Sequence, residues 1–419
     1  MKQLSKIMLA AVASAALAAP AFAWDFSASG SSSATFKKTD KAYAVGDATS
    51  SMNTTSSGGG VTISSSNTDG GHSATFSYTA DWNGDAGNFD EYVSISGSKK
   101  VGNWTASSAT TQHIQKDVDT RVDTDSATAG DQNGANYAQG TTPMRAGSSA
   151  VITLTDGSIT YKLGDASHLS TAEKAVNGPM AGAVDAEARV DSFQGFSVGM
   201  GVGPGTLTVA LDMEAGVADT AFGDQSIAIA CGGGSSGFGL NFSGDVGADV
   251  SFTYASGSST ASGRTCTVAD NTSDYAAAAN TMGLGVAVPL GGISLALDYE
   301  SSHVESTKGG GDVTAVTTGS DKSGFEISVT MGMGDATAGL NISSQTVDTT
   351  SSATGYKAPN ASSTAGTELW YSMPIGAVTL AVGYGSSAVT TGGSNTVGSV
   401  TVDATNTITE MGAELSMSF

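Results

Sequence analysis

A chain of 419 residues is large for one ordinary globular domain, and its formal charge of −22 excludes nucleic-acid binding by counterion release. Fifty-six glycines beside 7 prolines and only 13% charged residues leave open a low-complexity or disordered chain and a β-rich one. The apolar alternation described next favours the second.

At the amino terminus, Lys2 and Lys6 precede an apolar run over 7–19, and Ala21-Phe22-Ala23 has the small-x-small pattern of a cleavage site. This predicts a secretory signal peptide over 1–23 and a mature domain over 24–419 that begins at Trp24. Loss of the two leader lysines takes the formal charge to −24. The run is too short for a membrane helix, and no later stretch reaches ~18 uninterrupted apolar residues. An exported chain of this kind is periplasmic, secreted or a barrel.

From Trp24 the chain alternates through Phe26, Ala28, Ala34 and Phe36, then again around Phe76 and Tyr78. Val93 and Ile95 share one side of a third run, with a turn expected at Ser98-Lys99-Lys100. A polar stretch follows in which Asp117, Asp119, Asp123, Asp125 and Asp131 mark a solvated loop. It lacks the spacing and glycine of an EF-hand.

Six hairpins are then readable, at 150–163, 196–213, 239–254, 282–299, 325–342 and 369–384. The first turns through Asp156-Gly157, a two-residue hairpin signal, and the others through Gly- or Pro-containing turns. Short turns alternate with long polar loops at 213–236, 256–280, 302–322, 345–366 and 386–404, the rhythm of up-and-down strands. With a hairpin over 92–105 and a first and last strand the expected count is about sixteen, fourteen to eighteen being the range.

The strands have two unlike faces. Ile293, Leu295, Leu297 and Tyr299 oppose Ser294, Ala296, Asp298 and Glu300; Leu207, Val209 and Leu211 oppose Thr208, Ala210 and Asp212. One face suits lipid, with aromatic residues at strand ends; the other is too polar and small to make a dry core. The last strand ends the same way: Phe419, Met417, Leu415, Ala413 and Met411 oppose Ser418, Ser416, Glu414, Gly412 and Glu410. An unpaired apolar strand at a chain end invites aggregation, and in lipid closure against the first strand is compulsory. This Phe-terminated strand resembles the closing strand of bacterial outer-membrane β-barrels. The resemblance implies that Phe419 is read by the barrel-insertion machinery and that the apolar face meets outer-membrane lipid.

Between Leu163 and Arg189, Ser170-Thr171-Ala172-Glu173 has a capping-box pattern that predicts a short helix over 171–176, stopped by Asn177-Gly178-Pro179. By this count the loop follows the fifth strand. Here the chain resembles the general diffusion porins of Gram-negative bacteria, whose third external loop carries a short helix and folds inward to narrow the pore. Arg189-Val190-Asp191-Ser192 leading to Gly195-Phe196-Ser197 is similar to the strand that follows that loop. The family's Pro-Glu-Phe-Gly-type turn is replaced by Asn177-Gly178-Pro179-Met180, which leaves the loop's path and the pore size open. The resemblance implies a transmembrane antiparallel up-and-down β-barrel with an inward-folded constriction loop, assembled as a homotrimer. It also implies a throat in which Asp165, Glu173 and Asp185 face Lys162, Arg145 and Arg189. Opposed charges across a narrow throat orient polar solutes and set ion preference.

Cys231 and Cys266 flank the hairpin at 238–254, one beyond each strand, which favours a loop-stapling disulfide over two free thiols. His72, His113, His168 and His303 are scattered with no metal-ligand spacing, and no Gly-x-Ser-x-Gly elbow is present. No cofactor, metal or catalytic residue is expected. The reading is a passive outer-membrane channel for small hydrophilic solutes and ions, mildly cation-preferring from its net charge. The alternative is a surface adhesin or lattice protein built as a Ser/Thr/Gly-rich β-solenoid, which requires a short repeat that the sequence lacks. A channel selective for sugar or phosphate is a third option.

Overall fold

The computed structural model describes residues 25–44, 46–69, 71–83, 88–115, 149–180, 193–213, 234–261, 274–310, 313–351, 360–397 and 400–419. Among them no helix is present; the order is eighteen β-strands. These begin with β1 (Asp25–Ala42), β2 (Thr49–Asp69), β3 (His72–Asn83), β4 (Asn88–Val101) and β5 (Trp104–Gln115). Next come β6 (Ser149–Thr155), β7 (Ile159–Ala166), β8 (Phe193–Val202), β9 (Gly205–Asp212), β10 (Gly234–Asp245) and β11 (Asp249–Ala261). The chain continues through β12 (Asp274–Leu290), β13 (Ile293–Gly310), β14 (Val313–Met333) and β15 (Ala336–Ser351). It ends with β16 (Asn360–Ile375), β17 (Val378–Val397) and β18 (Val400–Ser418).

Every described register pairs sequential strands antiparallel. β1 pairs with both β2 and β18, so the sheet closes on itself. At the seam Gly30 and Phe419 exchange backbone hydrogen bonds of 2.8 and 3.0 Å. Closure removes the free edge, which lipid cannot solvate. On the polar face of β1 and β18, Lys37 pairs with Glu410 at 3.2 Å and the Thr39 hydroxyl donates to Glu410 at 3.1 Å. An up-and-down ladder of antiparallel hairpins is not the stack of parallel coils that a β-solenoid would need.

The faces separate as the alternation predicts. Ile293, Leu295, Leu297 and Tyr299 are 38–40% exposed, whereas Ala296, Asp298 and Glu300 are 1–2% exposed. An apolar outer face over a polar inner one inverts the order of a water-soluble sheet. The chain is a transmembrane β-barrel.

Three expectations need correction. The count is eighteen because 49–83 forms a whole hairpin, β2–β3. In β2 only Met52, Val61 and Ile63 are apolar, so hydroxyl-rich alternation conceals the strand. The turn expected at Ser98-Lys99-Lys100 lies at Gly102-Asn103, those three residues remaining in β4. The polar stretches at 302–322, 345–366 and 386–404 are largely strand: β13 runs to Gly310 and β14 starts at Val313. About 9–11 residues cross a bilayer, and β14 has 21, so its remainder needs no apolar face and gives no apolar signal. The short turns are where expected; Gly203 (φ 58°) and Gly291 (φ 71°) take left-handed conformations that a side chain would strain.

By compactness the chain divides into two units, one of residues 1–34, 55–152 and 417–419, the other of 35–54 and 153–416. The first holds the β3–β4–β5 ladder and the Gly30–Phe419 seam. The second holds the continuous ladder from β7 to β17 and the segment described next.

Candidate functional site

After β7, residues 167–180 form neither helix nor strand; they lie as an extended strap on the polar face of the second unit's sheet. This loop follows the seventh strand rather than the fifth, again because of the β2–β3 hairpin. The helix expected over 171–176 does not form, because wall side chains take the backbone groups a helix would bond internally. Ser170 does not cap. Its hydroxyl donates to Asn241 Oδ1 (2.8 Å), and its carbonyl accepts from the Thr253 hydroxyl (2.6 Å).

Farther along, Asp298 of β13 accepts from the N–H of Lys174 (2.8 and 2.9 Å, one to each oxygen) and of Ala175 (2.5 Å). Ser328 of β14 accepts from Val176 N–H at 3.0 Å. Glu368 of β16 accepts from Gly178 N–H (2.8 Å) and Met180 N–H (2.7 Å), one to each oxygen. Between them, the Asn341 amide of β15 donates to Asn177 Oδ1 at 2.7 Å and to Glu326.

Reach explains the conformation. From β10, which holds Ser170, to β16, which holds Gly178, is six strand spacings. At ~4.8 Å each they make about 29 Å along the wall. Eight residues cover such a distance only when extended, at ~3.3–3.6 Å per residue; a helix rises ~1.5 Å.

Glycines on the wall form the seat. A Cβ at Gly285 of β12 would overlap the Ala172 carbonyl, and one at Gly239 of β10 would overlap Leu169. Met180 and Pro179 lie over Gly383 of β17, while the Trp370 indole packs against both Gly178 and Gly339. Leu169, Ala172, Ala175 and Met180 are buried by this seating, and Thr171, Glu173, Val176 and Asn177 stay exposed. Buried carboxylates are costly without donors. Here Asp298 and Glu368 receive the strap N–H groups, and Glu300 pairs with Lys322 at 3.0 Å and accepts from the Gln345 amide at 2.8 Å.

The strap's first anchor is His168, 4% exposed, with its ring 4.7 Å from that of Phe193. Nε2 lies 2.9 Å from the Gly164 carbonyl, which only accepts, so Nε2 carries the proton and Nδ1 accepts from the Ser197 hydroxyl at 3.0 Å. Burial, chiefly, and the nearby Lys162 charge hold the imidazole below its ordinary 6.5, against the Gly164 carbonyl, Asp165 and the Phe193 backbone. The unfolded chain therefore takes up this proton at higher pH than the folded one. The anchor's contribution is complete above about 6.5 and declines as pH falls towards the lower folded value. Denaturation midpoints measured through this window should fall more steeply for the native chain than for His168→Gln.

Of the residues expected at the throat, Lys162 is partly exposed and donates to the Ser167 carbonyl at 3.1 Å. Asp165, partly exposed and opposite Gln194, lies with Lys162 close enough to His168 for both charges to act on it. Glu173 is on the exposed side of the strap, and its neighbour Lys174 pairs with Asp249 at 2.9 Å. Asp185, Arg189, Arg145, Cys231 and Cys266 lie outside the described residues, as do residues 1–23, where a leader is expected, and Asp117 to Asp131. The anchors Asp298, Ser328, Asn341 and Glu368 were not anticipated as site residues. For Asp298, Asn341 and Glu368 the available signal is a mid-strand carboxylate or amide on a face made mainly of small and hydroxyl residues; Ser328 carries no such signal.

No family model matches the chain, and no curated protein sequence does. Among solved structures it is similar to the outer membrane channel DcaP of Acinetobacter baumannii, at 10% identity over 94% of this chain and 97% of that one, TM-score 0.47. It is also similar to OmpT of Vibrio cholerae in its trimer form, at 9% identity over 95% and 100%, TM-score 0.46. A third is the anion-selective porin of Comamonas acidovorans, at 12% identity over 94% and 100%, TM-score 0.43. Likenesses this distant decide neither solute nor selectivity, and the fold rests on the strand pairing itself.

Proposed function

We propose that this protein is a water-filled channel of the bacterial outer membrane, through which small hydrophilic solutes and ions diffuse passively. The observation that carries the reading is the strap: an extended segment seated on the polar face of a closed barrel whose apolar face points outward. Such a segment narrows an aqueous interior without filling it by a dry core. Lys162, Arg145 and Arg189 are proposed to face Glu173 and Asp185 across the throat; Asp165, three residues along β7 from Lys162, sits beside that cation rather than across from it. The net charge of −22 supports a mild cation preference. A homotrimer, removal of 1–23 on export, recognition of Phe419 by the insertion machinery and a Cys231–Cys266 disulfide complete the proposal.

Purified protein in a planar bilayer is expected to give stable stepwise KCl conductance, with a reversal potential on the cation side under a salt gradient. Glu173→Lys should move that potential towards anions. Absence of any conductance overturns the channel; an unmoved potential removes Glu173 from the throat.

A further inference from the structure

The capping-box signal over 170–173 goes unused in the seated strap, yet the backbone groups it would engage are the ones the wall holds. In a helix over 171–176 capped by Ser170, the N–H groups of Lys174, Ala175 and Val176 would bond the carbonyls of Ser170, Thr171 and Ala172, four residues back. On the wall the first two go to Asp298 and the third to Ser328. The Ser170 carbonyl accepts from the Thr253 hydroxyl at 2.6 Å and the Asn241 amide at 3.3 Å. Its hydroxyl, which as a cap would accept from the Glu173 N–H, donates to Asn241 instead. Each of these groups thus has one partner on the wall and an alternative within the segment.

Length makes the two arrangements exclusive. Seated, the segment from Ser170 to Gly178 covers six strand spacings of ~4.8 Å, about 29 Å. With 171–176 helical, those residues rise ~1.5 Å each and the two beyond them add ~3.4 Å each, about 16 Å in all. A helix tethered through His168, whose ring is bonded to Gly164 and Ser197, therefore cannot keep Gly178 and Met180 on Glu368. Release also uncovers Ala172, Ala175 and Met180, which are buried when seated, and Thr171 and Val176 are β-branched and resist the helix. These costs keep the seated form the major one.

Resting on the channel reading, we propose that residues 170–178 are a two-state gate, in which the extended strap exchanges with a minor form that is helical over 171–176, tethered at His168 and detached from Asp298 and Glu368. Release takes the strap N–H groups from these two carboxylates, which are 1% and 0% exposed when seated, and turns both to water. The released channel is wider than the seated one. It is also more cation-preferring, because two fixed negative charges then face the passing ions.

The test compares the full-length parent with Thr171→Ala and Val176→Ala combined, which changes two exposed side chains and leaves every strap N–H in place. The gain in helix propensity should raise the released population about fivefold. In planar bilayers the parent is expected to show a rare larger KCl level with a reversal potential nearer the cation side than that of the main level, and the variant to occupy it more often by that factor. In lipid vesicles, carbodiimide-coupled labelling of Asp298 and Glu368 with glycine ethyl ester, read by mass spectrometry, should rise in step, because labelling of a buried group through local opening follows the open population. Labelling of the exposed Glu173 should be equal in both proteins, which shows equal access of the reagent. Unchanged labelling of Asp298 and Glu368 overturns the inference and leaves the channel standing, as does a rise in labelling with no change in the current levels. A larger level no more cation-preferring than the main one overturns the exposure of charge. Absence of conductance in the parent overturns the channel reading, and labelling alone then decides whether the strap has two states.

Discussion

Replacing Leu297 with arginine is expected to destabilise the membrane-inserted barrel by about 2–4 kcal/mol, the penalty for a cation on a lipid face near the bilayer centre. Leu297 is 40% exposed, which in a water-soluble sheet would make the same change almost neutral. Ser294→Arg, near the turn end of the same strand but on its polar face, is the control and should fold close to normally. Refolding from urea into lipid vesicles, read by the shift of unboiled protein on a denaturing gel, measures both. A tolerated Leu297→Arg beside a crippling Ser294→Arg would reverse the assignment of the faces.

The second large effect is expected at the strap. Asp298→Ala strands the N–H groups of Lys174 and Ala175, each of which donates to a carboxylate; bonds of that kind contribute roughly 1.5–3 kcal/mol apiece. Gly285→Val drives a side chain into the Ala172 carbonyl from the adjacent strand. The chemistry differs, and the outcome should be the same: residues 172–176 leave the wall, single-channel conductance changes and becomes noisier, and the strap becomes open to protease. Asp298→Asn keeps one acceptor oxygen and should fall between. Parent-like conductance in both Asp298→Ala and Gly285→Val would mean that the strap does not define the narrowest point.

Period-two alternation was enough to place the barrel's strands wherever one face carried Leu, Val, Ile, Phe or Tyr. The hairpins from 150 to 384 were legible for that reason, and so was the closing strand ending in Phe419. Alternation failed where both faces are hydroxylated, as in β2 and the polar ends of β13 to β18, because a strand outside hydrocarbon has no apolar face to display. At the strap the position was legible and the conformation was not. Ser170-Thr171-Ala172-Glu173 carries a valid local helix signal, and a local signal contains no information about Asp298, Ser328 and Glu368, which lie 124, 152 and 190 residues from the strap groups they hold.

The sequence by itself thus determined an antiparallel barrel with lipid outside and polar groups within, since that follows from which residues share a face, and facing is set by neighbours two positions apart. Only the tertiary structure decided the strand number, the extended strap and the glycine seats beneath it. Those depend on which distant strands come into register, and a backbone N–H has no preference between its own helix and a carboxylate until folding brings that carboxylate within bonding distance.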